Sequence, residues 1–239
     1  MKLSVVVPAF NEERLLPETL QHLRAGIAVF QQEGWSAELI VCDNNSTDRT
    51  AEIARAAGAL VVFEPVNQIA RARNTGARPA RGDWLLFVDA DSSPSEALFH
   101  DVLDAIHSGG IVGGGVTITL PGAPAGLRAW VGAWNLLSRT MRWAAGAFLF
   151  CETDPFRAIG GFSEELYAAE EIDLSRRLKA RYYDRDFVIL HRHPLATSAR
   201  KAHLYTWREH LAAMGRFALS GGRALRSREG CSVWYDGRR

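Results

Sequence analysis

The chain has 239 residues, 47% of them hydrophobic and 23% charged, which excludes a disordered or collagen-like polymer and gives enough length for a core without disulfide or metal staples. Its formal net charge of +1 tells against a nucleic-acid binder. That average hides a split: residues 1–173 carry 13 Lys and Arg against 22 Asp and Glu, a net of −9, and residues 174–239 carry 15 against 5, a net of +10. Leu3–Val7, stopped by Pro8, predicts a buried strand. Leu15, Leu16, Leu20, Leu23, Ile27 and Phe30 then recur at helical spacing, predicting a helix that ends near Gly34. Glu38–Cys42 predicts a second strand, followed by turn and cap residues from Asn44 to Asp48 and a helix reaching about Ala57, with Gly58 just past its end. Strand Leu60–Phe63, a helix over Ala70–Arg78 and strand Trp84–Val88 complete the first 90 residues.

Short apolar strands alternating with helices predict a parallel sheet covered on both faces, with ligands outside the carboxyl ends of its strands. Three polar segments fall at those ends: Ala9–Glu13, Asp43–Asp48 and Asp89–Ser93. Beyond residue 110 the rhythm changes. A glycine-bearing strand is expected over Ile111–Ile118, a turn at Pro121–Pro124, and a helix over 125–146. Trp130, Trp134, Leu137, Met141 and Trp143 stand at roughly helical spacing, and most of these positions are expected in the core; acceptor wall and membrane interface are the other readings. Strand Ala147–Cys151, a break at Gly160-Gly161, helix Glu170–Ala180 and strand Phe187–Leu190 follow. A last helix is expected around Leu204–Leu219. Three scattered cysteines predict reduced thiols and a cytoplasmic setting. The N-terminal apolar run is too short for a signal peptide, and no run of about 18 uncharged apolar residues exists.

Asp89-Ala90-Asp91 follows a buried strand directly. Two carboxylates facing one cleft repel, and a hard cation with oxygen ligands relieves that cost and can bridge a diphosphate. An Asp-rich capping turn would give the same three letters. No GxGxxG follows the first strand, and no P-loop, HExxH or GxSxG is present, which disfavours dehydrogenase, P-loop, zincin and α/β-hydrolase readings.

Residues 1–195 resemble the inverting family 2 glycosyltransferases of the GT-A fold. Six blocks carry the resemblance in order: Val5–Glu13, Val41–Thr50, Ala72–Gly76, Gly82–Asp91, Ile159–Phe162 and Glu170–Leu174. The resemblance implies a three-layer α/β sandwich with a mostly parallel sheet. Residues 1–110 would form the nucleotide-sugar half, residues 111–195 the acceptor half, and residues 196–239 a basic helical extension. It implies metal-dependent transfer, with inversion, from a UDP- or GDP-sugar to an acceptor hydroxyl, with Mn²⁺ or Mg²⁺, in cell-envelope, polysaccharide or glycolipid synthesis. In that scheme Pro8, Ala9, Phe10, Glu12 and Asp43 surround the base, and Arg71, Arg73, Asn74, Asp89 and Ala90 line the diphosphate. Asp89 and Asp91 hold the metal, which His191 or His193 would complete.

Glu171 stands where the family has its catalytic base, with Glu170 as rival base and site neighbour. Gln68 stands where the family commonly has glycine. In the basic tail, Arg200 is the candidate phosphate clamp; the same charge would suit an anionic membrane at its inner face or a lipid-linked acceptor. A sugar-phosphate nucleotidyltransferase and a non-catalytic sugar-nucleotide-binding protein are the alternatives.

Overall fold

The computed structural model describes residues 1–197 and 223–231. The elements run β1 (Lys2–Ala9), α1 (Leu16–Gln32), β2 (Ser36–Asp43), α2 (Thr50–Ala56), β3 (Leu60–Phe63), α3 (Ile69–Ala77), β4 (Trp84–Val88), β5 (Ser92–Ser93) and α4 (Glu96–His107). Then come β6 (Ile111–Thr119), α5 (Ala125–Met141), β7 (Phe148–Glu152), α6 (Thr153–Ala158), α7 (Glu170–Arg181), β8 (Asp186–Thr197) and a short 3₁₀ turn, Arg223–Arg226. The strands form one sheet in the order β3-β2-β1-β4-β7-β6-β8-β5. β1 pairs in parallel with β2 and β4, and β2 with β3; β6 and β8 share that direction, while β7 and β5 run against their neighbours. The sheet is therefore mostly parallel, as expected.

Residue alternation divides the core. In β1, Val5 and Val7 face one side and Val6 the other; in β4, Leu86 and Val88 oppose Leu85 and Phe87. The first side is covered by α1, α2 and α4 through Leu20, Ala54 and Phe99, the second by α3, α6 and α7 through Ala70, Phe156 and Leu174. Burial on both faces is why these strands read as unbroken apolar runs. α1 and α4 touch at Gly26, where a Cβ would lie 2.1 Å from the Phe99 ring. Gly58 ends the α2 region with φ +68°, the left-handed conformation its place beyond the helix calls for.

Several expectations are corrected. The helix begun at residue 125 stops at Met141, because Arg142 adopts a left-handed backbone with φ 52°. None of the five apolar marker positions in that region is in the core: Trp130, Leu137 and Met141 are exposed, and Trp134 and Trp143 half-buried. The last strand does not stop at Leu190. It runs to Thr197 through an irregularity opposite Val116–Ile118, so His191–Pro194 lie within it. Helices α4 and α6 join the expected elements. The helix expected around 204–219 lies outside the described residues.

The three cysteines are free and buried, and burial raises their thiol pKa values. No helix among the described residues is long and apolar enough to cross a membrane.

Candidate active site

Because β1, β2 and β4 are parallel neighbours, their carboxyl ends bring Ala9, Asp43 and Val88 to one edge. The first two loops are stitched together there. The Asn11 amide donates to Ser46 Oγ at 3.0 Å, and Thr47 donates back to Asn11 Oδ1 at 2.8 Å. The amides of Glu12 and Glu13 reach Thr50 Oγ1 at 2.8 Å and Asp48 Oδ2 at 3.1 Å. Asn11 and Asn45 have φ of 53° and 64°, a conformation asparagine tolerates better than most residues. Pro8 and Phe10 are half-buried beside buried Ala9 and Glu12, so the expected base-site residues do line one stretch of chain. Asp43 is buried and accepts from the Ser46 amide at 3.0 Å; α2 has no side-chain cap at Arg49.

Asn44, expected only as a turn or cap residue, ties the second loop to the third: its Nδ2 donates to the carbonyls of Glu64 and Val66, and its Oδ1 accepts from the Gln68 amide. Gln68 needs no glycine backbone, since its φ is −153°, and its side chain donates to the carbonyls of Glu164 and Leu166. Glu64 at the end of β3 is buried and accepts from Thr75 Oγ1 and the Val66 amide. Burial works to raise its pKa, and these bonds with Arg71 hold it lower.

The third helix sorts its polar residues by face. Arg71 bridges Glu64 at 3.2 Å and Glu164 at 2.9 Å. Asn74 clamps the backbone of Phe162, accepting from its N–H and donating to its C=O, both at 2.9 Å. Arg73 points into the molecule, 2% exposed. It donates to Glu170 Oε1 at 2.6 Å, Asp89 Oδ1 at 2.9 Å and the Gly146 carbonyl at 2.8 Å, over the Phe162 ring. Its Nε is buried without a partner. Burial opposes its charge, and the carboxylates of Asp89, Glu170 and Glu171 overcome that and keep it protonated.

Glu170 and Glu171 open α7, behind Ala169 at a left-handed φ of 62°. Such a backbone costs an alanine energy, and strain of this kind gathers at sites where geometry is over-determined. The two acids differ in their surroundings. Glu170 is buried and spent on Arg73. Glu171 keeps partial exposure, yet its carboxyl group is desolvated. Burial, then Glu170 and also Asp89, push its pKa up to about 8, against the pull of Arg73. Gly146 makes this assembly possible: a Cβ there would stand 3.2 Å from an Arg73 nitrogen and 3.3 Å from the Glu171 carboxyl carbon. Nothing in the sequence marks Gly146 beyond its size.

Asp89 remains one-third exposed on the other side of Arg73, Ala90 is buried and its carbonyl accepts from Thr19, and Asp91 is half-buried before β5. The late histidines are not brought to these carboxylates. His193 Nδ1 lies 2.9 Å from Asp101 on α4, and His191 is exposed. Arg200 lies outside the described residues. Among the described residues, no group of three or more His, Cys, Asp and Glu side chains is placed to hold a metal. The protein's contribution to such an ion would thus be one or two carboxylates, Asp89 retaining an oxygen beyond the one on Arg73. That hard, sparse donor set fits Mg²⁺ or Mn²⁺ completed by phosphate oxygens and water.

The comparisons with known proteins agree with this architecture. Mannosyltransferase PcManGT from Pyrobaculum calidifontis, solved with GDP-Man and Mn²⁺, superposes with a TM-score of 0.72 at 18% identity, covering 98% of this chain and 68% of that one; the shared fold is GT-A. Glycosyltransferase AglE of Haloferax volcanii is 26% identical over 186 residues, 73% of this chain and 60% of its own length. The 4,4'-diaponeurosporenoate glycosyltransferase of Staphylococcus haemolyticus is 38% identical over 96 residues, 37% of this chain and 24% of its own. The chain thus covers less than two thirds of either curated relative. Residues 4–150 match the sequence model described as Glycosyl transferase family 2. With more than half of its length in that match, the chain belongs to glycosyl transferase family 2.

Proposed function

We propose that this chain transfers a sugar, with inversion, from a nucleoside-diphosphate sugar to an acceptor hydroxyl in cell-envelope, polysaccharide or glycolipid synthesis. The observation that carries this reading is the pair of acids opening α7: one neutralised by Arg73, the other left with a carboxyl pushed up to about 8 beside Asp89. A single in-line displacement needs one carboxylate to take the acceptor's proton opposite the leaving diphosphate. Glu171 is that base. Glu170 does not compete, because its oxygen is held by a buried guanidinium.

The stitched loops after β1 and β2 receive the nucleoside, with Asp43, Glu12 and the backbone at Pro8–Phe10 meeting the polar edge of the base. Asp89 and Asp91 would hold Mn²⁺ or Mg²⁺, which when bound supplies positive charge to the leaving diphosphate. Arg73 orients Asp89 and Glu170 rather than reaching phosphate itself, since its donors are already directed to them. Residues 1–110 serve the donor and residues 111–195 the acceptor. The basic tail, Arg200 included, clamps phosphate or rests on an anionic membrane at its inner face, where a lipid-linked acceptor would be presented.

The decisive measurement is transfer from UDP- and GDP-sugars with Mn²⁺. Glu171→Gln should lower kcat by roughly 10²- to 10⁴-fold with donor affinity kept, and Asp91→Ala should abolish turnover together with any Mn²⁺-dependence of donor binding. Turnover that survives both substitutions sinks the reading.

A further inference from the structure

Helix α5 buries little of itself. Of its 17 residues, Val131 and Ser138 alone are buried. Asn135 fixes the inner face, exchanging two hydrogen bonds with the Ile118 backbone at 3.0 and 2.9 Å. The outer face is mostly apolar: Ala129, Trp130, Ala133, Leu136, Leu137 and Met141 are all exposed, Leu136 by 67% and Trp130 by 52%, and the one hydroxyl among them, Thr140, donates back to the Leu136 carbonyl. These positions recur every three to four residues, so they form one stripe rather than scattered contacts.

The helix and its sequence neighbours carry charge of a single sign. From Ala105 to Cys151 the sequence contains no Asp or Glu, in a chain that has 27, while Arg128, Arg139 and Arg142 all fall there. Arg128 and Arg139 are eleven residues apart and so share one flank of the helix. Arg142 is paired with Asp186 and Lys179 donates to the Met141 carbonyl, at the helix's far end. The Lys179 amine is held below its ordinary pKa by burial and then by Arg142 and Arg176, and Asp186 offsets the charge of Arg142, so the cations free to meet a surface are Arg128 and Arg139. An apolar stripe with tryptophan, bordered by arginines and without a carboxylate of its own, suits the boundary of an anionic bilayer. A partner copy of this chain would meet the same arginines with arginines. The helix is too short and polar to span, and lying in the interface does not require it to.

We propose that α5 is a membrane-docking helix, seated in the headgroup region of an anionic bilayer. Only four residues separate Met141 from Gly146, whose carbonyl is bound by Arg73 and whose missing side chain makes room for Glu171. Docking therefore holds the acceptor side of the site against the lipid surface, which favours an acceptor carried on a lipid. That consequence rests on the function proposed above; the docking itself does not.

The test is co-sedimentation of the full chain with vesicles of phosphatidylglycerol and phosphatidylcholine, or of phosphatidylcholine alone, without donor or acceptor. The chain should bind the anionic vesicles, weakly the neutral ones, and less in high salt. Leu136→Glu with Leu137→Glu should weaken binding by roughly a hundredfold, and Arg128→Gln with Arg139→Gln by roughly twentyfold. The two leucines are exposed, so the glutamate variant's melting temperature should match that of the parent chain; Arg128 also donates to the Ala123 carbonyl, so vesicle binding of the glutamine pair is measured well below its own melting temperature. Binding that persists in the double glutamate variant would assign it to the tail and overturn the proposal. So would a chain that ignores anionic vesicles, or one that is a dimer turned monomeric by the glutamates without vesicle binding. Vesicle binding by a chain that transfers sugar neither to a water-soluble nor to a lipid-linked acceptor hydroxyl would leave docking standing and remove the function proposed above.

Discussion

Helices α7 and α5 flank the same short segment, residues 142–146, and treat charge in opposite ways. α7 opens on acids that turn inward, where one guanidinium, Arg73, gathers Glu170 and Asp89 with Glu171 close by. α5 turns its apolar residues outward and keeps its cations on the flank. Inside, Arg73 holds Glu170 and Asp89 by specific bonds, so geometry is fixed and substitutions of this cluster are expensive. Outside, the apolar side chains of the stripe make no bond that a substitution would break, so changing them is cheap for the fold and matters to whatever is docked. This contrast separates the residues that build the site from those that address it to a surface.

The largest effect should come from the hub. Arg73→Met keeps much of the side-chain volume but leaves Glu170 buried with no opposite charge, and removes the donor held by Gly146. Breaking a buried pair by deleting one partner costs about 3–5 kcal/mol. Urea unfolding at pH 7 should show that loss. A change below about 1 kcal/mol would mean that solvent reaches the cluster and that Arg73 is not its organiser.

A smaller effect separates the two acids. Glu171 has an ordinary value of 4.5 and a folded value of about 8. Between those values the folded chain keeps a proton that the unfolded chain has released. This carboxyl's contribution is thus present at low pH and lost as pH rises through that window. In metal-free buffer, Glu171→Gln should therefore gain stability relative to the parent as pH goes from 5 to 8, by on the order of 1 kcal/mol for a part-exposed carboxyl. Thermal melts across that range check the sign. The same proton sets the rate: turnover should rise with pH toward about 8, or toward a lower value with a cation bound nearby.

The sequence shows these two regions unequally. The central strands of the first 90 residues, β1 and β4, are legible because burial on both faces makes them unbroken apolar runs, and the carboxyl-end rule then assembles Ala9, Asp43 and Asp89 without further information. The roles of Arg71, Arg73 and Asn74 are not legible. All three sit on one polar helix, and their partners Glu164, Glu170 and Phe162 lie about ninety residues away. Only the fold decides that Arg73 points in. Gly146 is silent for a related reason, since its importance is the space it leaves. For α5, helical spacing of Trp130, Leu137 and Met141 reveals a stripe but not its direction, and a stripe of that composition is most often core. The left-handed turn at Arg142, which ends the helix early, carries no residue signal of the Gly or Asn kind.

The smallest expected effect is the most discriminating for α5. Leu136→Ser replaces a residue 67% exposed and should shift stability by less than about 0.5 kcal/mol. Asn135→Ala, its neighbour on the inner face, removes both bonds to the Ile118 backbone and should cost about 1–3 kcal/mol. Adjacent positions on one helix thus give a direct reading of which side faces protein. If Leu136→Ser proved as costly as Asn135→Ala, something within the chain would be covering the stripe, and α5 would belong with α7 as a buried element. If the difference holds in water and Leu136→Ser nonetheless weakens vesicle binding, the leucine has no role in the fold and its value lies in the membrane it meets.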